Sequence, residues 1–389
     1  MPVFFQAGFR PFFLFAGLAG LVLVPWWTAA LLGALPLPAR PVGPVAWHAH
    51  EMLYGFIGAA VAGFLLTATP NWTNTPPRRG WPIVVLAAAW LLGRGVMGAA
   101  PAVPAWLAAV VDLAAPALLL AQIAHVVLGR GNRRNYAVPA LLAVWVAGDA
   151  LYHAAALGWL AAGPWPGLFM GIYAVLGLML LISGRVGPAF TAGHINRVLG
   201  HGARAPATPA WTHSAWPPLL LAVAAGHILG LDAAAGVLAV VLGLVVAWRM
   251  TGWRTAVVLD TPIVWVLHLG HAWLAVGFVL LGLGLLADGV PRSAGLHALL
   301  SGGAATLVLA VMSRAALGHT GRIIHASPLT VAAYALVTLG AVLRVAAAFP
   351  AGPDWLLHAA ATAWPAAFLC YLVAYAPLFF RPRLDGRPG

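Results

Sequence analysis

Twelve times along this chain an apolar run of about 20 residues recurs, near 12–32, 48–69, 81–97, 106–128, 136–157, 166–185, 217–231, 233–250, 264–286, 294–312, 329–348 and 356–378. No other feature limits the fold as strongly. At ~1.5 Å rise per residue, such a run crosses a hydrocarbon core of roughly 30 Å. Extended alternation of apolar and polar residues is absent, so helices rather than a barrel must satisfy the backbone inside lipid. The expected fold class is all-α: a polytopic membrane helix bundle with about twelve transmembrane helices. Composition agrees, with 7% charged residues in 389 against roughly 25% in soluble domains. The first run is too long for a signal peptide, has one arginine before it and no small-residue cleavage site after it, and reads as the first span.

All 20 basic residues are arginines. Threaded through twelve spans, sixteen fall on the side of the N-terminus and four, Arg40, Arg94, Arg292 and Arg344, on the other. Cytoplasmic loops gather arginine, so both termini are expected in the cytoplasm. The basic excess belongs to loops beside a membrane and gives no reason to expect nucleic acid. The runs near 217–231 and 233–250 are short and nearly touch at Asp232, as either a re-entrant pair or a tight turn. A Gly-, Pro- and Ala-rich stretch suggests the division 1–185 (first six-helix half), 186–216 (cytoplasmic linker loop) and 217–389 (second six-helix half). A faint echo of "ISGRVGPAFTAGHINR" in "VMSRAALGHTGRIIH" hints at internal duplication.

Ionisable groups inside a membrane are costly and ask for a partner or a task. The fourteen histidines sort into two layers. The outer layer holds His48, His50, His153, His227, His297 and His358, together with Glu51 and Asp149. The inner layer holds His125, His268 and His271 within spans, and His194, His201, His213, His319 and His325 in loops. His48 and His50 stand about 200° apart on a regular helix, so one faces inward while the other bonds elsewhere. Imidazole ligates haem iron and copper alike, and haem is held by histidines at equal depth on facing helices. His48 or His50 with His297 meets that condition. Glu51, the only glutamate, is the natural proton carrier beside them. Asp149 and His153, four apart, form either a relay or a structural ion pair. His268 and His271, three apart, suit a metal with a third ligand such as His319 or His325, or a satisfied polar core. The lone Cys370 allows neither a disulfide nor a cysteine zinc site. C-x-x-C-H is missing, so any haem is non-covalent; so are a Walker loop, G-x-S-x-G and H-E-x-x-H.

The segments "FRPFFLFAGL" (9–18), "WHAHEMLYGF" (47–56), "AGFLLTATPNWT" (62–73), "WVLHLGHAW" (265–273) and "HALLSGGAATLVLAVMSRAALGHTGR" (297–322) resemble the NnrS family. "WHAHEM" and "SRAALGHTGR" are the most specific. The resemblance implies a multi-pass protein of the bacterial inner membrane carrying haem and copper and linked to nitric oxide and denitrification. It points to His48, His50, Glu51, His268, His297, Arg314, His319 and Arg322, with Arg314 joining Glu51 as a catalytic candidate. The family pattern has an aromatic where His271 stands, which favours His268 as the ligand there.

Three functions compete on these grounds. One is a haem- and copper-binding protein that binds nitric oxide or takes part in its reductive removal. Its partners would be the gas, membrane lipid and a membrane or periplasmic electron donor. The second is a transporter of a small substrate or metal ion, which would place its polar groups near mid-depth. The third is a haem-containing sensor or assembly factor without turnover.

Overall fold

The computed structural model describes residues 2–36, 42–100, 102–200 and 203–387. Arg40 and His201, which enter the arginine count and the histidine layers, lie outside the described residues. Every regular element among the described residues is helical. The long helices are α1 (Phe9–Leu31), α2 (Pro44–Thr73), α3 (Trp81–Gly98), α4 (Ala105–Gly129), α5 (Ala137–Ala156) and α6 (Trp165–Val198). They continue as α7 (Trp211–Ile228), α8 (Asp232–Arg249), α9 (Pro262–Leu286), α10 (Arg292–His319), α11 (Pro328–Ala346) and α12 (Trp355–Phe379). Eleven of these are long and apolar enough to cross a membrane, which makes this a multi-pass membrane protein. The exception is α7, whose first turn is polar and whose interior holds Pro217 and Pro218.

One local feature departs from the sequence reading, and another decides between its two alternatives. Residues 186–198, expected to open a linker, continue α6 as helix to Val198. The short seventh and eighth runs are two helices joined by a tight turn, in which Gly230 takes φ +73°. That left-handed angle costs a residue without Cβ nothing.

The chain divides into two compact units. The first comprises Met1–Val175, Ala315–Ile323 and Tyr371–Gly389. Its α1 begins with a fully buried arginine, and the reason is local. Arg10 Nη1 donates to the carbonyls of Leu378, Phe379 and Arg381 at 3.2, 3.0 and 2.9 Å. The last carbonyls of a helix have no partner within it. A cation there satisfies them and also complements the negative end of the helix dipole. Helices α5 and α6 meet backbone to backbone: a Cβ on Gly148 would stand 2.5 Å from the Gly167 carbonyl oxygen, and one on Gly167 equally close to that of Gly148. Small residues allow such approach in membranes, where packing rather than hydrophobicity joins helices. The approach fixes α5, and with it Asp149 and His153.

The second unit comprises Leu176–Arg314 and Ile324–Cys370. Its α9 packs against α8 and against the N-terminal part of α10. Helices α2 and α10 share a device: each widens to a π-helical stretch, at Glu51–Ile57 and at Ala298–Ala304, directly after a histidine, His50 or His297. Such widened turns are frequent at functional sites, where they re-aim side chains a regular helix would turn away.

Candidate metal centre

Four helices of the first unit send polar groups to one buried point. From α2 come His50 and Glu51, from α3 Arg94, from α4 Asp112, and from α5 Asp149 and His153. His50, Asp112, Asp149 and His153 are each at most 2% exposed, and Glu51 3%. His50 Nε2 lies 2.9 Å from Asp149 Oδ1 and 3.1 Å from Asp112 Oδ2. His153 Nε2 lies 3.0 Å from the same Asp112 oxygen and 3.7 Å from Asp149 Oδ1. The four ligand atoms all fall within 4.8 Å of one another. Donor atoms of a four-coordinate first-row ion, at bonds of roughly 2.0–2.2 Å, stand roughly 3.3–3.6 Å apart. The four-residue cluster has that scale.

A ring of partners holds the cluster. His50 Nδ1 lies 3.1 Å from Glu51 Oε1, which also accepts from Arg94 Nη1 at 2.5 Å. Arg94 Nη2 donates to Asp112 Oδ1, so one guanidinium bridges two carboxylates. Tyr152 stacks on the His50 ring at 4.2 Å and Tyr54 flanks it at 4.8 Å. The Tyr54 hydroxyl donates to the Trp145 carbonyl at 3.0 Å. These rings exclude water and fix the imidazole plane.

Charge and hydrogen count both leave the cluster incomplete. Three buried carboxylates face one guanidinium. His50 Nε2 meets two carboxylate oxygens, and a single N–H cannot be shared well between both. Asp149 Oδ2 and His153 Nδ1 are buried without a hydrogen-bond partner. Unpaired buried polar atoms in a native fold call for an unseen water, ion or task. A divalent cation among the four ligand atoms, or protons on the two imidazoles, would balance the charge.

The structure separates His48 from His50 as a helix must. His50 enters the cluster, while half-buried His48 stacks on Trp27 at 4.7 Å. Asp149 and His153 join His50 and do not stand alone as a pair. Asp112 and Arg94 were missed as members. The available signal for Asp112 was an acid in the middle of an apolar run; Arg94 was counted only as a loop charge.

The remaining candidates stand elsewhere. His297, in the second unit, has Nδ1 2.7 Å from the Ser293 carbonyl oxygen. His268 and His271 are buried in that unit. Thr191 and Thr255 hydroxyls lie 2.8 Å from the two nitrogens of His268, and Ser183 Oγ lies 2.7 Å from His271 Nδ1. His319 belongs to the first unit, where it packs against Phe9 and lines a cavity of about 110 Å³ with Arg78, Arg79 and Arg383. The Arg314 guanidinium lies 3.7 Å over the Phe190 ring.

Compared with known proteins, the chain matches the family model described as NnrS protein over residues 3–383. No curated protein matches it.

Proposed function

The chain belongs to the NnrS family, and on that footing we propose a metal-centred protein of the bacterial inner membrane that binds nitric oxide, or takes part in its reductive removal, and so lessens nitrosative stress. The observation that carries this reading is the buried set His50, Asp112, Asp149 and His153, with its orphaned Asp149 Oδ2 and His153 Nδ1. Two imidazoles and two carboxylates suit a divalent first-row ion, and copper(II) heads the affinity order for such donors. The cluster therefore fits the copper that the family resemblance implies.

Haem places a different demand, one ring nitrogen turned to the iron. His50 does not fit, because both its nitrogens face carboxylates. His297 fits. Its Nδ1–H donates to the Ser293 carbonyl, which fixes the ring as in many metal-bound histidines. We therefore assign the haem role to His297, and keep His48 as a second candidate in the first unit.

Bound copper and haem would supply one-electron chemistry and an open position for a small neutral gas. The protein's own work is positioning. Glu51 holds Nδ1 of His50, so that Nε2 addresses the metal position, and Arg94 holds Glu51 and Asp112 in register. Glu51 also offers the carboxylate through which a proton exchanges with the cluster. Burial and the tyrosine rings keep water out, which strengthens each of these interactions. Arg314 stays a catalytic candidate on the resemblance alone. His268, His271 and His319 are left out of the copper assignment: hydroxyls already engage both nitrogens of His268 and Nδ1 of His271, and His319 packs against Phe9 beside a separate cavity.

The test is metal analysis with optical and electron-spin spectra of purified protein, reduced and then exposed to nitric oxide. His153→Ala and Asp149→Asn should lose copper and keep the haem absorption, whereas His297→Ala should lose the haem band and keep copper. Folded wild type that holds neither metal when produced with both supplied would end this reading.

A further inference from the structure

A second group of buried polar residues lies in the second unit, and its charge has the opposite sign. Arg249, the last residue of α8, is 2% exposed. Its Nη1 reaches only the Leu180 carbonyl, at 3.4 Å, and its Nε is buried without a partner. The unit's acids are Asp232, Asp260, Asp288 and Asp354, none of them buried. Among the described residues none pairs with Arg249; Asp232 is taken by Arg292. A guanidinium buried in a membrane protein without counter-charge is among the costliest arrangements a fold can hold.

A second orphan addresses the same turn of α6. His271 is fully buried; Ser183 engages its Nδ1, and its Nε2 has no partner. The next residue, Gly184, lies directly under the Arg249 guanidinium: a Cβ there would collide with Nη2. Glycine therefore makes the place that the arginine occupies. Aromatic rings wall the region. Trp216 lies 5.8 Å from the guanidinium carbon, and Trp253 packs on His271 at 4.6 Å.

We propose that Arg249 and the Nε2 edge of His271 hold a small monoanion, of halide or formate size, against the Ser183–Gly184 turn of α6. In the tautomer that carries its hydrogen on Nε2, Nδ1 accepts from the Ser183 hydroxyl and Nε2–H donates to the anion. The guanidinium supplies the opposite charge and further donors. The same arginine repels a cation from His271, so the site selects by sign. This inference is independent of the metal cluster, which lies in the other unit.

The experiment is thermal unfolding of the full-length protein in detergent at constant ionic strength. Chloride, bromide or formate replaces gluconate stepwise. A bound anion raises the midpoint in proportion to the logarithm of its excess over Kd, so the expected result is a rise of a few degrees with each small anion that is linear in the logarithm of its concentration above Kd. Arg249→Gln and His271→Phe should remove the dependence. A halide response without a formate response assigns the site to monatomic ions; the reverse assigns it to a carboxylate. Should a variant fail to fold, wild type is gel-filtered after bromide exchange and its bromine counted by X-ray fluorescence, with about one per chain expected. Identical midpoints in all four salts, an unchanged response in both variants, or stabilisation by copper(II) that His271→Phe abolishes would each overturn the proposal.

Discussion

His50 and Glu51 are neighbours in the chain and also partners through their side chains, His50 Nδ1 lying 3.1 Å from Glu51 Oε1. Successive residues of a regular helix point about 100° apart. The π-helical stretch that begins at Glu51 lies where the two side chains converge. Their contact sets the edge that His50 offers to Asp112 and Asp149.

Glu51→Gln tests that contact. Outer partners of metal-bound histidines typically contribute about 10–100-fold to metal affinity. A loss of that size is expected, with the fold retained because glutamine still reaches Arg94 and His50 in part. Competition titration with a chelating dye measures it. An unchanged affinity would remove Glu51 from the positioning role.

Asp112 and Asp149 should differ when made amides. Asp149→Asn removes a ligand atom from a carboxylate that is not hydrogen-bonded to Arg94, so metal is lost and the unfolding midpoint falls only by what metal removal itself costs. Asp112→Asn also strips a counter-charge from Arg94, and breaking a buried pair from one side costs about 3–5 kcal/mol. Metal content and unfolding midpoint, measured together, separate the two. Equal midpoints for both variants would contradict the bridging role of Arg94.

Removing the metal from wild type should lower stability, since the folded state alone presents the assembled ligands. A strong chelator should depress the unfolding midpoint by several degrees, and one equivalent of copper(II) should restore it. A midpoint blind to chelator would mean that the cluster holds protons rather than a cation.

Gly148→Val leaves every ligand in place and should still release the metal. Its Cβ would stand 2.5 Å from the Gly167 carbonyl oxygen and 2.8 Å from the Gly171 nitrogen, forcing α5 away from α6 and carrying Asp149 and His153 with it. Metal stoichiometry of the folded variant gives the answer; full occupancy would show that α5 has slack.

Arg10→Met should destabilise the first unit without touching the metal. It removes donors to three carbonyls at the end of α12, and hydrogen bonds from a charged group are worth about 1.5–3 kcal/mol each. A several-degree fall in midpoint with unchanged metal content is expected. Arg10→Lys should recover part of it.

Apolar runs and sparse charge determined the helical, multi-pass class, because a backbone in lipid has few ways to satisfy its hydrogen bonds. Helix angles alone required His48 and His50 to face apart, and the cost of ionisable groups in lipid marked Glu51, Asp149 and His153 as meaningful. Only the tertiary structure decided that Asp149 and His153 close on His50, that Asp112 from α4 completes the set, and that Arg94 ties it together. These residues lie up to about a hundred positions apart, on helices whose rotation depends on contacts such as Gly148 with Gly167. Periodicity along one helix carries no record of which neighbour it will meet. The same holds for Arg249: its place in the sequence suggests a loop charge, and only the packing of α6 against it reveals a buried cation without a counter-ion.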